Sequence, residues 1–270
     1  MVAYLGHDYT TTGPTSRRLT ALGSVLVVID LDDVDRRQVP GSPAPATSSP
    51  VSGLSDRAMT FEPVGRERGV VVEMTPLGAR ALFGLPLREL ANTSVDLADL
   101  LGGPQARRLA EQLAAAKGWE ARFQLLDDQL TTWMLDGPRL DRPVHGAWHQ
   151  LVLSSGRTRI GALADQIGWT RQHLNARFHD QIGLSPKTVS RIARFHQAIR
   201  MTATPNPPSW SEIAAACGYA DQPHLNLDFR ALAGCTPTEL TAFDGSRGEI
   251  FIGSRLSMEL LAATTIRRTA

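Results

Sequence analysis

The sequence predicts an α+β chain: a mixed β/α N-terminal domain followed by an all-α C-terminal domain with two helix-turn-helix units. Three observations carry this. Short β-branched apolar runs mark the first seventy-odd residues. Apolar residues then recur at three- and four-residue steps. Finally, "GWTRQHLNARFHDQIGLSP" (168–186) is nearly repeated as "GYADQPHLNLDFRALAGCTP" (218–237).

Taken in order, "LTALGSVLVVIDLDD" (19–33) has a β-branched centre and reads as a buried strand. Pro, Ser, Ala and Gly crowd 38–55, which cannot build a core and reads as a flexible loop. "RGVVVEMTP" contains a second strand at 69–74. Three amphipathic helices follow, separated by Gly103-Pro104 and Gly137-Pro138; in the last, Phe123, Leu126, Leu130 and Met134 share one face. The expected domains are 1–141, a sensor or dimerisation domain, and 146–243, with a tail at 244–270 that holds a strand-like "EIFIG" and a basic end.

Bulk properties narrow the class. The chain has 270 residues, 42% apolar and 20% charged, as expected of a soluble globular protein. A net charge of +1 neither favours nor excludes a nucleic-acid partner. Cys217 and Cys235 are too few for a disulfide framework and read as small core residues. The N-terminus lacks a basic start and an apolar stretch, and the longest apolar run, 25–29, is too short to cross a bilayer. A cytoplasmic protein with no membrane partner is expected.

The repeat is specific in its spacing. His173-Leu174-Asn175, Phe178, Gly183 and Pro186 recur 51 residues later as His224-Leu225-Asn226, Phe229, Gly234 and Pro237. Upstream, Ala164 and Gly168 recur 50 residues later as Ala214 and Gly218, so one residue is added in the turn. Leu163, Ala164 and Ile167 form a helix face that stops at glycine, and Ile213, Ala214 and Cys217 do the same. Thr170 and Asp221 stand where the second helix of each unit begins, and Ser209 with Glu212 fits a capping box. A short helix, a Gly-led turn and a second helix make a helix-turn-helix. With Leu174 and Phe178 inward, Gln172, His173, Ala176 and His179 point out, flanked by Asn175 and Arg177. Gln and Asn can pair with adenine edges, which a face of Glu and Lys would not suggest.

These motifs, and above all "IAAACGYADQPHLNLDFRALAGCTPTEL" (213–240), resemble the tandem helix-turn-helix domain of the AraC/XylS family of bacterial transcription regulators. "GLSPKTVSRIARFHQAIRM" resembles the helix that joins the family's two units, and "VVVEMTPLGARALFGLPLREL" resembles the N-terminal part of actinobacterial members. The resemblance implies that two reading helices enter successive major grooves. Its base-facing positions fall on Gln172, Asn175 and Ala176 in the first unit, and on Gln222, Pro223, Asn226 and Leu227 in the second. Arg177 and Lys187 are the candidates for phosphate contact. Arginine is frequent in the family where Ala176 and Leu227 stand; neither bonds to a guanine edge, though both can touch a thymine methyl. Between 147 and 243, nine Lys and Arg face six Asp and Glu, a mild excess that implies weak non-specific affinity.

Rival chemistry has little support. His145 and His149 are four apart, but no further ligands are spaced nearby, and Pro143 and Gly146 put His145 before its helix. Asp30, Asp32, Asp33 and Asp35 lack the glycine and terminal glutamate of a calcium loop and read as a solvated strand end. There is no phosphate-binding glycine loop and no nucleophile elbow. The expected function is therefore a sequence-specific DNA-binding regulator with no cofactor, no metal and no enzymatic activity. Its expected partner is double-stranded DNA; further candidates are RNA polymerase, a small-molecule effector in the N-terminal domain and a second copy of the chain. The competing reading is a degenerate module that acts through protein contacts.

Overall fold

In this computed structural model, residues 2–11, 16–32, 34–37, 39, 47–135, 137–139, 141–204, 206–242, 249–251 and 266–269 are described. The architecture is α+β, with strands gathered toward the N-terminus and helices from residue 76 onward.

The spine of the β-rich part is β6 (Met59–Met74), preceded by β1 (Val2–Thr11), β2 (Arg17–Leu19), β3 (Val25–Asp30), β4 (Asp35–Arg37) and β5 (Pro50–Ser52). The C-terminal half of β6 lies antiparallel between β1 and β3, with Val72 opposite both Tyr4 and Val27. Its N-terminal half pairs with β2 and β4. Only its end, 69–74, is legible as a strand, because Glu62, Arg66, Glu67 and Arg68 break the apolar pattern. Cross-strand pairs settle three of these charges: Arg66 with Asp8 at 2.8 Å, Arg68 with Asp32 at 2.7 Å, and Glu67 with Arg17 inside the sheet.

The single strand expected over 19–33 is broken instead. Leu22 bridges to Ser55, and β3 starts only at Val25. The physical reason is Ala21, whose backbone is used elsewhere: its N–H donates to Leu232 O at 2.7 Å, and its carbonyl accepts from His196 Nε2 at 3.0 Å. The segment read as a loop over 38–55 also needs correction. Val51 and Leu54 are buried apolar anchors, and they draw β5 into the sheet against β3. Residues 38 and 40–46 of that segment lie outside the described residues. Asp30 is no solvated strand end: it is buried and accepts from Arg36 Nη2 at 2.9 Å. Asp33 lies outside the described residues.

Beyond the sheet, α1 (Pro76–Phe83), a 3₁₀ turn (Leu87–Glu89), β7 (Ser94–Asp96), α2 (Leu97–Leu101), α3 (Gly103–Ala115) and α4 (Gly118–Leu135) complete the first half. Phe123, Leu126 and Leu130 of α4 are buried, while Met134 is only partly covered. Phe123 stacks on Tyr4 with ring centroids 5.7 Å apart, which seats α4 on β1. Then come α5 (Arg142–Leu153), α6 (Ile160–Gln166), α7 (Arg171–Ile182), α8 (Pro186–Thr202), α9 (Trp210–Ala216), α10 (Gln222–Ala233) and α11 (Pro237–Thr241). His145 therefore lies inside α5, not ahead of it; Pro143 sits in the first turn, where its missing N–H costs nothing. In the tail, β8 (Glu249–Phe251) runs parallel to β2, and β9 (Ile266–Thr269) pairs antiparallel with β1. One buried apolar cluster runs from Tyr4 to Cys235, through both the sheet and the helices. No helix among the described residues is long and apolar enough to cross a membrane.

Candidate nucleic-acid interface

The sequence repeat becomes a repeat of hydrogen bonds. Trp169 N–H donates to Ala164 O at 2.9 Å, and Tyr219 N–H donates to Ala214 O at 2.9 Å. Gly168 and Gly218, with φ of 71° and 77°, hold the left-handed conformation that lets the chain turn between the helices. Thr170 Oγ1 then accepts from His173 N–H at 3.1 Å, and Asp221 Oδ1 accepts from His224 N–H at 2.8 Å. The second helix of each unit, α7 and α10, thus starts on a capped amide. Ser209 and Glu212 form the expected capping box at α9.

A second correspondence is not obvious from the aligned letters. The ring of His173 meets Trp169 edge-on with centroids 4.5 Å apart, and His224 meets Tyr219 edge-on at 5.3 Å. An aromatic residue directly after each turn glycine, four or five residues before a histidine, is the signal in the sequence. The contact braces the first turn of α7 and of α10 against the loop before it.

Inward, Leu174, Phe178, Leu225 and Phe229 are fully buried. Phe229 packs edge-on against Phe195 of α8 at 4.9 Å and Trp210 of α9 at 5.6 Å. The joining helix α8 is further tied to α10 by Arg191, whose Nε and Nη2 donate to the buried Asp228 Oδ1 at 3.0 and 2.7 Å. Both cysteines are buried free thiols. Burial pushes both thiols up, which makes poor nucleophiles of them.

Outward, Gln172, Asn175 and Ala176 of α7 are exposed, as are Gln222, Pro223 and Leu227 of α10; Asn226 is half-buried. Lys187 is exposed in the first turn of α8, whose start is capped by Ser185. Arg177 is partly exposed, but its guanidinium already has a partner. It is held by Asp141, just ahead of α5, and the same carboxylate accepts from Gln181 Nε2 at 2.7 Å. The two donors, Arg177 foremost, hold the Asp141 carboxyl below the usual carboxylate range.

His145 and His149 stack with centroids 6.1 Å apart. Burial lowers His145, and its partner ring lowers it further. Among the described residues no three His, Cys, Asp or Glu side chains are grouped as a metal would require.

Residues 163–242 match the family model of the helix-turn-helix domain. The match spans α7 to α11 and most of α6, so the helix-turn-helix region expected from the sequence repeat is present. Among solved structures, the chain is similar to the DNA-binding domain of AdpA, a global transcriptional factor, in complex with a target DNA (23% identity over 40% of this chain and 96% of that one, TM-score 0.36). It is also similar to ToxT from Vibrio cholerae O395 (10% identity, 87% and 96% coverage, TM-score 0.45). Another similar structure is unsaturated fatty acid-bound wild-type ToxT from Vibrio cholerae strain SCE256 (10% identity, 88% and 93% coverage, TM-score 0.42). No curated protein sequence matches the chain.

Proposed function

From the helix-turn-helix domain at residues 163–242 we propose that the chain is a sequence-specific DNA-binding transcription regulator, with α7 and α10 entering successive major grooves. The observation that carries this reading is the twofold recurrence of one turn geometry, each time with a buried Leu and Phe behind and a largely exposed ridge of Gln, His, Asn and apolar residues in front. A solvated helix needs no such ridge, and a core helix would bury it.

On this reading Gln172, Asn175 and Ala176, with Gln222, Pro223, Asn226 and Leu227, face base edges, while Arg177 and Lys187 face phosphates. The part before residue 142 serves as a sensor or dimerisation domain. It is tied to the reading domain through Ala21 and through Arg18, whose Nη1 donates to Gly234 O at 3.2 Å. A signal in the sheet thus has a short physical route to the end of α10. The site of action is the cytoplasm, where the DNA is.

Gel-shift titration of the full chain against duplexes from around its own gene tests the proposal. Tight binding that survives bulk competitor DNA, with affinity falling steeply with salt, is expected. Gln172→Ala and Asn175→Ala should relax sequence preference, each costing about 1–3 kcal/mol, whereas Lys187→Ala should weaken all duplexes alike. Binding no stronger than to bulk DNA would favour a module working through protein contacts.

A further inference from the structure

The reading helices carry few cations that can reach a base. Arg171 is exposed at the first position of α7, and its guanidinium rests over Gly161 of α6, where a Cβ would stand 2.4 Å from its Nη2, on the side of the neighbouring helix and away from Asn175 and Ala176 in sequence. Arg177 is held by Asp141. Arg230 is exposed, but it sits in the second half of α10, and it is the N-terminal residues of a reading helix that contact base edges. The exposed ridge that remains carries the amides of Gln172, Asn175 and Gln222, the carbon of Ala176, Pro223 and Leu227, and imidazoles, of which His173 and His224 lie edge-on against Trp169 and Tyr219.

An asparagine followed by an apolar residue stands at the same place in both units: Asn175 beside Ala176, and Asn226 beside Leu227, 51 residues on. Leu227 is 63% exposed, a large apolar side chain left in water on the reading face. Only one kind of base pair suits both members of such a pair. Adenine offers N7 as acceptor and N6 as donor, which match the two ends of an asparagine amide; its thymine partner offers a methyl group to the neighbouring apolar carbon. Guanine offers two acceptors, which call for arginine or lysine.

Resting on the DNA-binding reading above, we infer that Asn175–Ala176 and Asn226–Leu227 each read an A·T pair, with Leu227 seated on a thymine methyl. The two pairs lie about one helical turn, 10–10.5 base pairs, apart. Leu227 is then the specificity-determining residue of the second unit, and it works through carbon contact where an arginine would work through hydrogen bonds.

The test begins with selection of duplexes from a random library by the full chain. Two A·T positions separated by about one turn are expected. In the selected duplex, deoxyuridine in place of the thymine facing α10 removes only the methyl and should weaken binding roughly fourfold, as burial of one carbon implies. Leu227→Ala should weaken binding to the thymine duplex and no longer distinguish it from the deoxyuridine duplex. Leu227→Arg should move the preference at that position toward G·C. Leu227 is exposed, so neither variant opens a core. Selection of G·C at both positions, or equal sensitivity of wild type and Leu227→Ala to deoxyuridine, overturns the inference and leaves the regulator reading intact. Failure to select any duplex over bulk DNA overturns both.

Discussion

Arg177 Nε donates to Asp141 Oδ2 at 3.1 Å, so the residue just before α5 holds the middle of α7. The pair is about 40% exposed on each side and by itself contributes at most ~1 kcal/mol. Gln181 changes the balance. It is buried, it accepts from Asp141 N–H at 2.8 Å, and it donates to the same carboxylate. Asp141→Ala therefore leaves a buried amide donor without its acceptor, at a cost of about 1–3 kcal/mol in urea unfolding.

Asp141→Asn separates the charge from the hydrogen bond. The side chain still offers an oxygen to Gln181, while Arg177 loses its counter-charge. Affinity for DNA should rise, and the slope of log affinity against log salt should steepen by about one ion as the guanidinium reaches a phosphate. An unchanged slope would mean that Arg177 has no phosphate role.

Phe229 and Phe178 are the repeated inward anchors, both fully buried. Phe229→Ala empties the space between Phe195 and Trp210 and should cost about 3–5 kcal/mol in chemical unfolding. Phe178→Ala should cost a similar amount. A loss below about 1 kcal/mol at either site would show that the core refills.

The two units were readable because each local demand is met locally. A turn glycine at 168 or 218, a capping side chain at 170 or 221 and an apolar pair four apart all lie within a dozen residues. The β-rich half yielded less. β6 hides its length behind charges whose partners are far away in sequence: Glu67 meets Arg17, 50 residues earlier, and Arg68 meets Asp32. Nothing near Asp141 announces that it will meet Arg177 and Gln181. The break in the 19–33 segment arises from bonds between Ala21 and the helices, made across more than 170 residues to His196. Residues whose partners are set by tertiary contact were the ones that pattern could not place.

The Arg17–Glu67 pair lies inside the sheet, with both side chains almost fully buried. Burial pushes the Glu67 carboxyl up in spite of the neighbouring Arg17 and Arg36, so desolvation outweighs the attraction. Arg17→Met alone should cost about 3–5 kcal/mol, since it strands a buried carboxylate; adding Glu67→Leu should recover much of that loss. Thermal unfolding of the two variants makes the comparison. A double variant no more stable than the single one would show that the pair's hydrogen bonds, not its charges, hold the sheet.

His196 gives the interface between sheet and helices a pH dependence. Its ring is buried in α8, and because Ala21 O can only accept, Nε2 carries the proton and donates. Burial lowers its pKa from 6.5 to about 4, and the nearby Arg200 acts in the same direction. His7, inside the sheet beside Arg36 and Arg17, is likewise lowered to about 4, chiefly by burial. An unfolded chain takes up these protons near pH 6.5, whereas the folded chain resists until about pH 4. Between those values the unfolded state binds more protons, so stability rises with pH and is fully present only above about 6.5. Each histidine accounts for a loss on the order of 3 kcal/mol across the window. Urea unfolding at pH 7 and pH 5 should show wild type weakening on acidification. His196→Gln, which retains a donor and cannot titrate, should weaken less, with a slope smaller by about one proton. If the slope of the variant equals that of wild type, the ring of His196 is protonated or solvated in the folded state, and the bond to Ala21 does not tie sheet to helix in the way described.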